Sequence, residues 1–179
     1  MIDRGIARHI ASVEAALFGS ANARSIHLAA EQIRTTRSAG GTVWCVGNGG
    51  SLAIAQHFAQ DLLKACAVRA QALNDGSVIT AYANDVAFSG CHEEPLKVLW
   101  RPGKDVLVIF SCSGSSRNVA TLGEHFGPVI AIVGTNGGVL KKEIDVCVHA
   151  NSKEYDVCET AFQVVADVII KTIKRKSVR

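Results

Sequence analysis

The 179-residue sequence lacks several features, and each absence narrows what the chain can be. There is no CxxC pair: the six cysteines, at 45, 66, 91, 112, 147 and 158, follow no regular spacing. Cys45 and Cys147 sit inside apolar runs, where a free thiol behaves as a small hydrophobe. Reduced thiols in a cytoplasmic protein are therefore expected rather than a disulfide frame. No N-terminal stretch has the charged, then apolar, then small-residue plan of a signal peptide. No apolar run approaches the roughly 20 residues that span a bilayer, so no membrane role is expected.

Charge of either sign is also scarce, at 20% of residues with a net +3, and hydrophobic residues make up 48%. That composition excludes a disordered chain and a nucleic-acid-coating one. The basic cluster Lys171, Lys174, Arg175, Lys176 and Arg179 reads as a basic last helical turn or tail, not as a nucleic-acid patch. With no sustained repeat and no low-complexity linker, one domain over 1–179 is expected.

What is present is organised around residues 43–63, VWCVGNGGSLAIAQHFAQDLL. A short apolar run, 43–46, predicts a buried strand; a glycine turn, 47–51, leads into an alanine-rich helix carrying His57 and Asp61. Strand, glycine turn and helix aim backbone N–H groups and a helix N-terminus at an anion. The turn is neither a dinucleotide fingerprint, which needs GxGxxG, nor a Walker loop, since the GK[ST] ending is missing.

Upstream, Ile6, Ile10, Val13 and Leu17 share one helical face within 3–18, and Ile26, Ala29, Ala30 and Ile33 one within 22–38. This pair, over 1–40, predicts a helical hairpin packing on the domain or on a neighbouring subunit. Downstream come a weak strand at 70–73, a turn at 74–76 and a helix over 77–83, then a helix over 93–100. Next are a buried strand at 105–110, a serine-rich turn at 111–116, a helix over 117–124 and a strand at 128–133. A brief helix over 139–142, a strand at 145–149 and a long helix over 154–175 complete the chain. Continuous apolar strands alternating with helices predict a parallel sheet covered on both faces. Ligands of such sheets bind beyond the strands' carboxyl ends, near a change in strand order.

Ser111, Ser113, Ser115 and Ser116 offer hydroxyls just before a predicted helix start, a pattern suited to a phosphate monoester. His57 and Asp61 are four apart and share a helix face. Spacing alone leaves three readings open: a metal half-site, an acid/base pair, or a surface ion pair.

GNGGSLAIAQHFAQDL, NDGSVITAYAND and DVLVIFSCSGSSRNV, in that order, resemble the sugar isomerase (SIS) domain family, nearest the bacterial phosphoheptose isomerases. The resemblance runs over about 24–175. It implies an α/β fold: a flavodoxin-like three-layer αβα sandwich with a five-stranded parallel sheet. It also implies a homotetramer with sites between subunits. By resemblance, Ser111, Ser113 and Ser116 hold the phosphate of a sugar phosphate, and Asn48, Gly49 and Ser51 face the sugar. Asp75 lies near its hydroxyls, His57 is a histidine that can bind zinc, and Asp61 stands where the family has its catalytic glutamate.

The last helix departs from the pattern. Where the family has Gln-Glu-x-His and a further histidine five residues later, Glu159 is kept, but Cys158 replaces the glutamine and Ala166 the later histidine. A third zinc donor from Cys158 and a carboxylate from Glu159 or Asp167 are the substitutes the helix offers. Two functions follow. One is an aldose–ketose isomerase acting through an enediol with Asp61 as base and His57 beside it. The other is a non-catalytic sugar-phosphate-binding or regulatory protein with a protein partner.

Overall fold

A computed structural model describes residues 2–144 and 146–175. Two helices, α1 (Ile2–Leu17) and α2 (Ser20–Ser38), precede β1 (Val43–Val46) and α3 (Gly49–Cys66). Then come β2 (Ala70–Ala72), α4 (Gly76–Asp85), a 3-10 turn at Phe88–Gly90, α5 (Glu93–Leu99) and β3 (Val106–Ser111). The chain continues through α6 (Arg117–Ala120), α7 (Leu122–His125), β4 (Val129–Val133), α8 (Leu140–Glu143), β5 (Val146–His149) and α9 (Tyr155–Arg175). All pairings are parallel, in the order β2-β1-β3-β4-β5.

β1 and β4 are wholly apolar, and β3 is apolar up to Ser111, because both sheet faces are covered there. Along β3, Val106, Val108 and Phe110 enter one core while Leu107 and Ile109 enter the other, as a period of two requires. The first core is closed by α2, α3 and α9, where the Phe110 ring packs 5.8 Å from Phe58 and 6.2 Å from Phe162. The second is closed by α5 to α8 through Leu96, Val119, Leu122 and Leu140. This is the three-layer sandwich the resemblance implied.

Three details differ from expectation. The predicted strand start at Asp105 is instead a buried junction. The Asp105 carboxylate accepts from Thr42 N (2.8 Å), Trp44 Nε1 (3.0 Å) and both the backbone N and Nη2 of Arg101 (2.9 Å each). The helix expected over 117–124 breaks at Thr121 into two four-residue pieces. On α1, Val13 is buried, but Ile6 and Ile10 are 55% and 62% exposed, because among the described residues no other element covers that part of the face. Residue 145, where the last strand was expected to start, and Lys176 and Arg179 of the basic cluster lie outside the described residues. Among the described residues, no helix is long and apolar enough to cross a membrane.

Candidate functional site

The change of strand order falls between β1 and β3, and the loops leaving their carboxyl ends meet there. They enclose a cleft of about 270 Å³, lined by Asn48 to Ser51 from the first loop and α3, Phe110 to Ser113 and Ser116 from β3 and its turn, and Tyr155 and Glu159 from α9. The glycine and serine turns, sixty residues apart, thus form one site.

Each turn is shaped by close backbone approach. Gly114 has φ +63°, and a Cβ there would overlap the Gly137 carbonyl, so only glycine lets the serine turn lie against the loop after β4. The Ser111 hydroxyl, buried at the strand end, accepts from Gly114 N at 3.1 Å and so braces the turn. Ser113 and Ser116 are half-buried with their hydroxyls 3.3 Å apart, close enough to donate to one ligand group. Because α6 is only one turn long, its dipole adds little; hydroxyls and backbone N–H groups remain as donors. Ser51 is buried on the cleft floor, its Oγ 3.8 Å from Cys112 Sγ. Burial pushes the Cys112 thiol up to about 11, with the nearby Cys158 and Glu159 adding to the rise and the Ser51 contact opposing it. At neutral pH it is a neutral wall group.

Asn48 occupies the N-cap position of α3, but its side chain does not cap the helix. Its amide instead pairs reciprocally with Asn118: Asn48 Nδ2 donates to Asn118 Oδ1 (2.9 Å) and Asn118 Nδ2 to Asn48 Oδ1 (2.8 Å). The first N–H groups of α3 are thereby left without a side-chain cap. Asn118 lies at the end of the serine-turn motif, where nothing singled it out; its role depends on α6 lying beside the first turn. Tyr155 and Glu159 also join the cleft, and a retained motif position was the one hint of Glu159.

Three expected site residues lie elsewhere in the single chain. His57 and Asp61 pair on the surface of α3, Nε2 to Oδ2 3.5 Å, with side chains 53% and 28% exposed. Asp61 is eleven positions beyond Gly50, hence about 16 Å along the helix at 1.5 Å per residue. Asp75 caps α4, accepting from Ser77 N (2.8 Å), Ser77 Oγ (2.6 Å) and Val78 N (3.1 Å). These bonds, the Ser77 hydroxyl first, hold its carboxyl below the usual range. It borders a separate cavity of about 320 Å³ beside Tyr82 and Leu99.

The substitutes on α9 divide. Cys158 is buried and directs its thiol to the carbonyls of Ser152 (3.4 Å) and Ala150 (3.7 Å), and Ala166 is packed in the core. Asp167 accepts from Gln163 Nε2 at 2.9 Å and does not line the cleft. Among the described residues, no three histidine, cysteine or carboxylate groups gather as metal donors. The His57–Asp61 pair supplies two donors, short of the three protein ligands of a zinc centre, and Cys158 does not join them.

A family model described as "SIS domain" matches residues 9–134. A phosphoheptose isomerase of Akkermansia muciniphila is 30% identical over 151 residues, 79% of each chain. One from Thiobacillus denitrificans is 41% identical over 128 residues, 63% of this chain and 64% of that protein, just under two thirds of its length. In structure, a phosphoheptose isomerase from Francisella tularensis superposes with a TM-score of 0.85 at 27% identity, covering 97% of this chain and 96% of the other. With the five-stranded parallel sheet and the site at its switch point, these matches lead to one conclusion: the chain belongs to the SIS domain family.

Proposed function

We propose that the protein is a sugar-phosphate aldose–ketose isomerase resembling phosphoheptose isomerase. The observation that carries this reading is the joining of the serine and glycine turns in one cleft, with Ser113 and Ser116 hydroxyls converging at 3.3 Å. A phosphate monoester sits at Ser111, Ser113 and Ser116; the sugar extends past Asn48, Gly49 and Ser51. The names of the sequence relatives support the substrate class.

Moving a proton between adjacent carbons through an enediol needs a base at the carbon. Asp61 takes that role, with His57 beside it as the group that holds or relays a proton. The pair is too far along α3 to reach the cleft of its own chain. The reading therefore includes a homotetramer in which a second copy presents His57, Asp61 and the Asp75 region to the cleft. The exposure of the pair and of Ile6 and Ile10 on α1 fits a chain that has surfaces left for other copies. Zinc on His57 and Asp61 needs a third protein donor from another copy. Aldose formation from sedoheptulose 7-phosphate tests the reading. An Asp61→Asn variant should lose at least a hundredfold in kcat, since a carbon base cannot be an amide; equal rates in both proteins would sink it.

A second reading, a binding or regulatory protein with a protein partner, is favoured by one observation: Cys158 and Ala166, at the positions of the family's glutamine and histidine, are core residues. Binding of sugar phosphate without any turnover decides for it.

A further inference from the structure

Glu159 has no part in the roles assigned above, yet among the described residues it is the only carboxylate lining the cleft. It lies on the second turn of α9, four residues after Tyr155, so both face the same way. Its carboxylate rests against Gly50, where a Cβ would have to push both oxygens aside. That places a negative charge at the uncapped N-terminus of the 18-residue α3, where it is favoured electrostatically. Among the described residues it has no hydrogen bond or ion pair of its own, in contrast with Asp75, Asp105 and Asp167, whose carboxylates are all occupied.

A carboxylate only accepts hydrogen bonds, and so does a phosphate dianion. Placed together they repel, so Glu159 does not hold the phosphate. A sugar's hydroxyls are donors, and vicinal hydroxyls match the two oxygens of one carboxylate. We propose that Glu159 is the sugar-recognition residue of the cleft, accepting from hydroxyls of the substrate while Ser113 and Ser116 hold its phosphate. The two ends of the cleft then have opposite demands: one supplies donors to an anion, the other an acceptor to a polyol. A sugar phosphate satisfies both in one orientation only, which makes Glu159 a determinant of pose as well as of affinity. The inference rests on the sugar-phosphate reading above.

Titration calorimetry of the full chain with sedoheptulose 7-phosphate and, separately, inorganic phosphate tests it. In Glu159→Gln, of nearly the same size, sugar-phosphate affinity should fall at least tenfold, while phosphate binds unchanged or more tightly because a repelling charge is gone. Unchanged sugar-phosphate affinity, or an equal loss for both ligands, overturns the proposal. A wild-type protein that binds neither ligand overturns the sugar-phosphate reading and this proposal with it. Wild-type binding without a selective loss in the variant overturns this proposal alone.

Discussion

Asn48 and Asn118 hold each other by two amide hydrogen bonds, 2.9 and 2.8 Å, and so tie the glycine turn after β1 to the helix that follows the serine turn after β3. Asn118 is buried, and its Nδ2 also lies 3.7 Å from Cys91 Sγ. Asn48 is therefore a fixed edge of the cleft rather than a free amide. Replacing Asn118 with alanine releases Asn48 and leaves its half-buried amide without a partner, at about 1–3 kcal/mol. Denaturant unfolding should show that loss, and calorimetry a roughly tenfold weaker sugar phosphate; unaltered binding would show that the pair does not set the cleft.

Ser113 and Ser116 should dominate phosphate affinity. A hydrogen bond to a charged group is worth about 1.5–3 kcal/mol, so either alanine variant should bind inorganic phosphate roughly tenfold to a hundredfold more weakly. Ser111→Ala should act differently, because its hydroxyl accepts from Gly114 N and shapes the turn. Its cost should appear in melting temperature as well as in affinity.

Asp105 should contribute to stability in a pH-dependent way. Its side chain is fully buried. Burial pushes its carboxyl up, but the bonds from Trp44, Thr42 and Arg101 outweigh this and leave it below the usual range. A lowered folded-state value means its contribution is present above the unfolded value near 4 and is lost as pH falls through the folded one. Unfolding followed from pH 7 to 3 should show the wild type converging on Asp105→Asn at the acid end. Asp105→Ala should cost about 2–5 kcal/mol at pH 7 by orphaning the buried Thr42 and Trp44 donors.

Zinc retention should be weak. With Cys158 bonded to carbonyls in the core, the described residues of each chain offer His57 and Asp61 with no third donor beside them. Elemental analysis of protein purified without a histidine tag should give well below one zinc per chain. A stoichiometric metal that disappears in His57→Ala would instead reveal a site shared between copies.

Much of the fold was legible along the chain. Apolar runs such as 106–110 and 129–133, bounded by turn residues, read as buried strands, and the polar turns after 46 and 110 mark where a parallel sheet binds ligands. Helix ends were less so. The break at Thr121 has no proline to announce it and only Gly123 two residues beyond, and Ile6 and Ile10 obey helical period without being covered by the described residues of this chain.

The sequence by itself determined the layers, the strands and the chemistry of the two turns, since period and turn composition are local properties. Only the tertiary structure decided which groups meet. The crossover that seats β3 beside β1 brings Ser113 into the same cleft as Gly50 and Asn118 to Asn48, and the path of α9 turns Glu159 into the cleft while burying Cys158 one residue earlier. The helical rise of α3 carries His57 and Asp61 away from that cleft, a separation that their four-residue spacing could not reveal. Adjacent residues on a helix face different directions, so a single position on α9 separates a packing thiol from a carboxylate open to a ligand.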